Sequence, residues 1–322
     1  MVIKRKESNI KFEISSFLLQ YLQHSKWDIK MRNSVSSLLH KEGKLFNAQS
    51  HFTWSEFSYY VFSLSKNNKT DEEKKIACSA AVELLILATD IIDDITDQDF
   101  ANESSMLSKL TISEALTISN TLLMESFSLI INYSDACNLE KYKSMINNLR
   151  TAAFGQWKDL LFVISKHVPS EADYFALIDQ KSVPLIRLVF EMSKLTNDTI
   201  RENIPRYIGY SGQLKNDARD ILLESKSDLI HQKATLPLIK AIEFSQEKDQ
   251  GWLLKQMNRL NSSENNTDLL NNIRCYITQT GAIDYCFILS KVYMNKATHL
   301  LRRSMDYNEE YVEQLIGILE GD

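Results

Sequence analysis

The sequence predicts an all-α protein, and three observations carry the prediction. With eight Gly and four Pro in 322 residues, the chain is poor in helix breakers. Apolar residues recur at helical spacing in segment after segment, as in "CSAAVELLILATDII" (78–92). Strand signals are weak, because no long alternating run is bounded by an Asn-Gly or Asp-Gly turn.

In chain order the periodicity places helices at residues 8–22, 30–41, 54–66, 71–95, 111–132, 138–163, 171–196, 199–223, 233–245, 248–260, 266–279, 281–304 and 308–319. Polar punctuators separate them. "KNNKTDEE" opens the fourth segment, with Thr70 before the acidic turn Asp71-Glu72-Glu73. "NYSDACN" divides the fifth from the sixth, and "KHVPSEAD" opens the seventh with Pro169-Ser170-Glu171. "LTNDT", "SSENNTD" and "QTGAID" introduce later ones. No linker is long and no repeat is visible, so one helical domain over residues 1–322 is expected, a bundle with room for a central cavity.

Net charge is −5 without a basic block, which argues against nucleic acid as a partner. Cys78, Cys137, Cys275 and Cys286 are scattered, without a CxxC pair. Three lie in apolar surroundings, so buried reduced thiols are expected rather than a disulfide or zinc site. The N-terminal "MVIKRKESNIKFEISSFLL" is basic, but its apolar run is too short for a signal peptide or membrane span. A cytoplasmic location is the expectation.

The chemistry lies in polar islands on apolar helices. In "ATDIIDDITDQDF", Asp90, Asp93, Asp94 and Asp97 stand at i, i+3, i+4 and i+7 and share one face. Such crowding destabilises a helix unless positive charge sits among the carboxylates. A second acidic face lies in "SGQLKNDARDILLE", where Gln213, Asn216, Asp217, Asp220 and Glu224 fall within an arc of about 100°. Facing each other across a cavity, the two sets suit hard divalent cations, Mg²⁺ in particular. An EF-hand is excluded because the first stretch lacks the glycine its loop needs. Between the two, "AAFGQWKDLLF" puts Gln156 and Asp159 one turn apart, and "DQKSVPLIRLVF" puts Lys181 and Ser182 in a helix interior before Pro184. After the second, "SKSDLIHQKATLPLIKA" supplies Lys226 and Lys233. Any one of these is ordinary surface taken singly. Together, positive groups among metal sites imply an oxygen-rich anion, and a diphosphate fits best.

"AVELLILATDIIDDITD", "FGQWKDL", "QKS", "QLKNDARD" and "SDLIHQKATLPL" resemble, in order and spacing, the motifs of the trans-isoprenyl diphosphate synthase (polyprenyl synthetase) family. These are DDxxD, GQxxDL, Lys-Thr, QxxDDxxD and K-x-T-L-P, and they span about residues 40–245. The resemblance implies the all-α isoprenoid synthase fold, and three Mg²⁺ ions bridging both acidic motifs to an allylic isoprenyl diphosphate. It implies metal ligation by Asp93, Asp94, Asp97, Asn216, Asp217 and Asp220. Diphosphate binding would fall to Lys181, Gln213, Lys226 and Lys233. Asp93, Asp94, Asp97, Lys181 and Lys233 would form the catalytic group, supported by Asp90, Gln156, Asp159 and Glu224. Ala88 and Thr89, just before the first motif, would floor the prenyl pocket; both are small, so a tail of farnesyl length or more is expected. Phe154 and Trp157 are candidates for walls that keep water from an allylic cation. A homodimer is expected by the same analogy.

The chain departs from the pattern where the family binds a second diphosphate. In place of a GGKRxRP segment, "HKEGKLFNAQSHF" keeps only Gly43-Lys44, followed by Phe46 and Asn47. In place of an Arg pair, "DQDFANESSMLSKL" has no Arg. So little positive charge would hold a second diphosphate poorly. In this the chain is similar to the ComQ-type pheromone-modifying prenyltransferases of bacilli. That implies transfer of a geranyl, farnesyl or longer group to a tryptophan of a small quorum-sensing peptide precursor. Three other readings stay open: an isoprenyl diphosphate synthase, a class I terpene cyclase and a non-catalytic subunit of a heteromeric synthase. The cyclase reading rests on the spacing of Asn216, Asp220 and Glu224, although its middle ligand would normally be Ser or Thr.

Overall fold

A computed structural model describes residues 9–66, 71–98, 107–133, 139–164, 167–193, 195, 198–223, 228–260, 267–304 and 306–321. Thr70, Cys137, Glu224 and Lys226 lie outside the described residues. Among those described there are fourteen helices and no strand: α1 (Asn9–His24), α2 (Ile29–Leu39), α3 (Trp54–Ser63), α4 (Glu72–Thr96), α5 (Ile112–Tyr133), α6 (Leu139–Asp159), α7 (Glu171–Ile178), α8 (Val183–Met192), α9 (Asp198–Leu222), α10 (Leu236–Asp249), α11 (Trp252–Leu260), α12 (Thr267–Gln279), α13 (Ala282–Arg303) and α14 (Glu309–Glu320).

Helix starts follow the capping chemistry. Asp71 caps α4 by accepting the Glu73 backbone N–H. Ser170 and Asp173 form a reciprocal capping box on α7. The segment expected to run through 171–196 is instead two helices. Pro184, in the first turn of α8, has no N–H to donate back, so α7 ends and α8 begins afresh. Lys181 and Ser182 therefore stand in the turn between helices, not in a helix interior. α10 likewise begins at Leu236 rather than at 233, because residues 232–234 pair with 162–164 instead.

Two apolar clusters organise the molecule. One gathers α1–α5, α8 and α14 around Phe57, Leu84, Leu87 and Phe190. The other gathers α7 and α10–α13 around Leu236, Ile239, Leu253 and Ile273. Helix α9 serves both, giving Ile200, Ile204 and Ile208 to the first and Leu214, Ala218 and Ile221 to the second. This brings the C-terminal turns of α4 and the second half of α9 to one cavity. The expectation of buried thiols holds for Cys286, whereas Cys78 is half-buried and Cys275 exposed. The apolar stretch around Cys275 has helical period, and period alone does not say which side of α12 faces out.

Candidate active site

Close helix packing sets the positions of the charged groups. A Cβ on Gly155 would stand 2.2 Å from the Gln180 carbonyl oxygen. Only glycine lets α6 approach the α7–α8 turn so closely, which sets Asp159 beside Lys181. The Lys181 ammonium donates to Asp93 at 3.1 Å and to Asp159 at 2.6 Å. Lys233 is held by a short antiparallel bridge: Ala234 N–H donates to Phe162 O at 2.9 Å and Ile164 N–H to Gln232 O at 2.7 Å. Gln232 takes a left-handed φ of 53° to enter it. From there the Lys233 ammonium reaches Asp97 at 2.5 Å, Asp159 at 3.5 Å and Asp228 at 3.9 Å.

Across the cavity, α9 presents a hydrogen-bonded relay. The Ser182 hydroxyl donates to Gln213 Oε1 at 2.6 Å, and Gln213 Nε2 donates to Asp217 Oδ1 at 2.7 Å. The Tyr174 hydroxyl donates to Asp217 Oδ2 at 2.7 Å. The cavity between these groups is about 210 Å³.

Of the residues singled out in the sequence, Asp93, Asp94, Asp97, Asp159, Lys181, Gln213, Asn216, Asp217, Asp220 and Lys233 all line this cavity. Gln156 stands behind it, donating to the Thr96 hydroxyl at 3.0 Å and supporting Asp93. Asp90 does not line it and pairs with Lys44 instead. Ala88 and Thr89 are not among its lining residues; Ala88 is buried, its carbonyl accepting the Ser119 hydroxyl at 2.8 Å. The aromatic-wall expectation is corrected. Phe154 and Trp157 are 60% and 64% exposed, because they project from the side of α6 away from Gln156 and Asp159. Tyr174 and Asp228 are site residues that the sequence reading missed. Asp228 lies in the same "SDLIHQKATLP" stretch as Lys233, a signal that was there to use.

Asp93, Asp97 and Asp159 each offer a carboxylate oxygen, all within 4.8 Å of one another. This donor set suits the Mg²⁺ that the family implies. Burial, with the Asp93 charge beside it, pushes the Asp97 carboxyl up to about 6. Asp93 is driven the other way: burial would raise it, but Lys181 and Lys233 outweigh burial and hold it ionised. Burial likewise pushes Asp217 up to about 7. For Lys181 burial favours the neutral amine, yet Asp93 and Asp159 prevail and raise its pKa. The two ammoniums offset part of the negative charge of these carboxylates. Chemically, the site can bind a metal-bridged polyanion and stabilise negative charge on its oxygens.

Comparison with known proteins agrees with this geometry. Residues 30–274 match the polyprenyl synthetase family model. A geranylgeranyl pyrophosphate synthase of Penicillium canescens is 26% identical over 227 residues, 67% of this chain and 66% of its own. The chain thus spans about two thirds of that relative's length. The tryptophan prenyltransferase ComQ of Bacillus spizizenii is 25% identical over 256 residues, covering 78% of this chain and 87% of its own. Among solved structures, a geranylgeranyl pyrophosphate synthase of Lactobacillus brevis superposes with a TM-score of 0.76 at 15% identity, over 98% of this chain and 97% of its own. The fold is the all-α isoprenoid synthase fold.

Proposed function

The chain belongs to the polyprenyl synthetase family, and from that premise we propose that it ionises an allylic isoprenyl diphosphate and transfers the prenyl group to a tryptophan of a small peptide pheromone precursor. The observation that carries the first half is the convergence of Lys181 and Lys233 with Asp93, Asp97 and Asp159 on one cavity, opposite Asn216, Asp217 and Asp220. Asp93, Asp97 and Asp159, with ligands from α9, would hold Mg²⁺, which supplies Lewis-acid stabilisation of the diphosphate leaving group. Lys181 and Lys233 donate to diphosphate oxygens as the C–O bond breaks and negative charge grows there. Gln213, hydrogen-bonded to Ser182 and Asp217, orients the second acidic set. From the motif, Lys226 would add a diphosphate ligand and Glu224 a supporting carboxylate; both lie outside the described residues.

For the acceptor, the support is the state of Lys44. The cation retained from the upstream basic segment is half-buried and paired with Asp90, with Asp94 and Glu83 adding negative potential. That environment disfavours a second diphosphate and so an isopentenyl acceptor. The ComQ relatives are the comparison that points to a peptide tryptophan. A terpene cyclase reading keeps one observation of its own, since Asn216 and Asp220 line the cavity at the ligand spacing of that class. A non-catalytic role is disfavoured by the acidic residues of both motifs and the two lysines that line the cavity.

We further take the acting unit to be a cytoplasmic homodimer. Exposed Phe154 and Trp157 on α6 would give a second copy apolar contacts. Among the described residues no helix is long and apolar enough to cross a membrane.

The decisive experiment incubates the purified chain and Mg²⁺ with geranyl, farnesyl or geranylgeranyl diphosphate, adding isopentenyl diphosphate or a tryptophan-containing peptide. Prenylated peptide and no elongated diphosphate is the expected result. Elongation with isopentenyl diphosphate, or cyclised hydrocarbon without any acceptor, would overturn the acceptor assignment.

A further inference from the structure

Five charged side chains of the cavity are linked in one run of contacts, with Asp228 a more distant neighbour of Lys233 at 3.9 Å. Lys181 sits between Asp93 and Asp159, and Lys233 between Asp97 and Asp159. The ammoniums therefore occupy the space in which a divalent cation would meet the same three carboxylates. Neither lysine can swing freely into water. Their side chains are only 18% and 12% exposed, one anchored in the turn pressed against Gly155 and the other in the 162–164/232–234 bridge. Across the cavity, both oxygens of Asp217 already accept hydrogen bonds, from Tyr174 and Gln213.

We propose that Lys181 and Lys233 are internal counter-ions that keep divalent metal out of the Asp93–Asp97–Asp159 site until a diphosphate arrives to accept their ammoniums. This rests on the diphosphate-binding reading above and adds an order of events to it. A metal entering alone would lie beside two positive charges and would displace them from their acceptors, leaving buried donors unsatisfied. A diphosphate entering alone would meet the three carboxylates. Arriving together, metal takes the carboxylates and diphosphate takes the lysines, so every charge finds a partner. Binding of the two is then strongly cooperative, and the coupling is reciprocal. One consequence runs against intuition: removing a lysine should improve the binding of metal by itself.

The test titrates the full chain with Mn²⁺, followed by calorimetry and by the electron paramagnetic resonance of free Mn²⁺. Titrations are run with and without inorganic diphosphate and corrected for Mn²⁺–diphosphate association in buffer. In the wild-type chain, diphosphate should tighten Mn²⁺ binding on the order of tenfold or more. Lys233→Met should bind Mn²⁺ alone about tenfold tighter than wild type and lose most of that enhancement. Lys181→Met should move in the same direction, which guards against a folding failure of either variant. Circular dichroism should show both helical, and Mn²⁺ alone should raise their melting temperatures more than it raises that of wild type. If the wild-type enhancement is present but neither variant binds Mn²⁺ more tightly, the counter-ion proposal is overturned and the diphosphate reading stands. If the wild-type chain binds no Mn²⁺ even with diphosphate, both fall.

Discussion

The Asp90 carboxylate is ion-paired with the Lys44 ammonium, joining the connection between α2 and α3 to the last turns of α4. The pair divides the first acidic face. Asp93 and Asp97 pair with the lysines of the cavity, while Asp90 pairs with Lys44. Beside it, the buried Glu83 carboxylate accepts the backbone N–H groups of Leu45 at 3.0 Å and Ser55 at 2.8 Å, holding the same connection against α4. Asp90→Asn should free Lys44 for an external anion, giving isopentenyl diphosphate several-fold tighter binding by calorimetry. It should also cost about 1 kcal/mol in a denaturant melt, since a half-buried ammonium loses its charged partner. Unchanged affinity would mean that the pair is only a structural tie.

The Asp93→Ala/Asp97→Ala double variant should not consume allylic diphosphate. Crowded like charges on one helix face suggest that removing two of them would relieve the fold. The ion pairs to Lys181 and Lys233 reverse that expectation, and a loss of about 1–3 kcal/mol in the metal-free protein is predicted. A thermal melt and a diphosphate-release assay check both halves.

Metal-free stability should fall as pH rises from about 4 to about 7 through the contribution of Asp217. Its folded pKa is raised from 3.8 to about 7, so across that window the folded state keeps a proton that the unfolded chain has released. The stabilisation is therefore present at the acid end and lost as pH climbs through the folded value. Asp97, raised to about 6, acts with the same sign. In chelator, Asp217→Asn should flatten the pH dependence and raise stability at neutral pH. A slope as steep as that of wild type would contradict the assignment.

Gly155→Ala should be far worse than a helical Gly→Ala change normally is. In an open helix it stabilises by about 0.4–1 kcal/mol. Here the new Cβ would meet the Gln180 carbonyl at 2.2 Å, so α6 and the α7–α8 turn must part, at a cost of about 1–3 kcal/mol. The displaced turn carries Lys181, so diphosphate affinity should fall along with the melting temperature.

Ala88→Phe should shift the preferred donor to a shorter tail if this position floors the prenyl pocket. Ala88 is buried between α4 and the Ser119 side of α5, so an added ring has little room without strain. Donor preference and melting temperature, measured on the same variant, separate pocket from packing. Unchanged preference in a well-folded protein would remove Ala88 from the pocket.

How much of this was legible in the sequence depended on the range of the interaction. The acidic faces of α4 and α9 follow from helical period within a few turns, and so does most of the helix inventory. Tyr174 was not legible, because nothing within "SEADYFALIDQ" says that its hydroxyl meets Asp217 on another helix. The partnership of Lys44 and Asp90 is long-range in the same way. Phe154 and Trp157 misled because aromatic character marks neither the inside nor the outside of a helix, and only the packing of α6 on α8 decides it. The break between α7 and α8 was signalled by Pro184, but the apolar run around it masked the stop.

Helix α9 inserts its first half into one apolar cluster and its second half into the other. Opening either cluster would strip apolar cover from this shared helix, so the two should melt together. Its central amides should exchange with solvent only when the whole molecule opens. The turns that present Gln213, Asn216 and Asp217 thus rest on one of the most slowly opening parts of the chain, and thermal fluctuation has little means of blurring their positions.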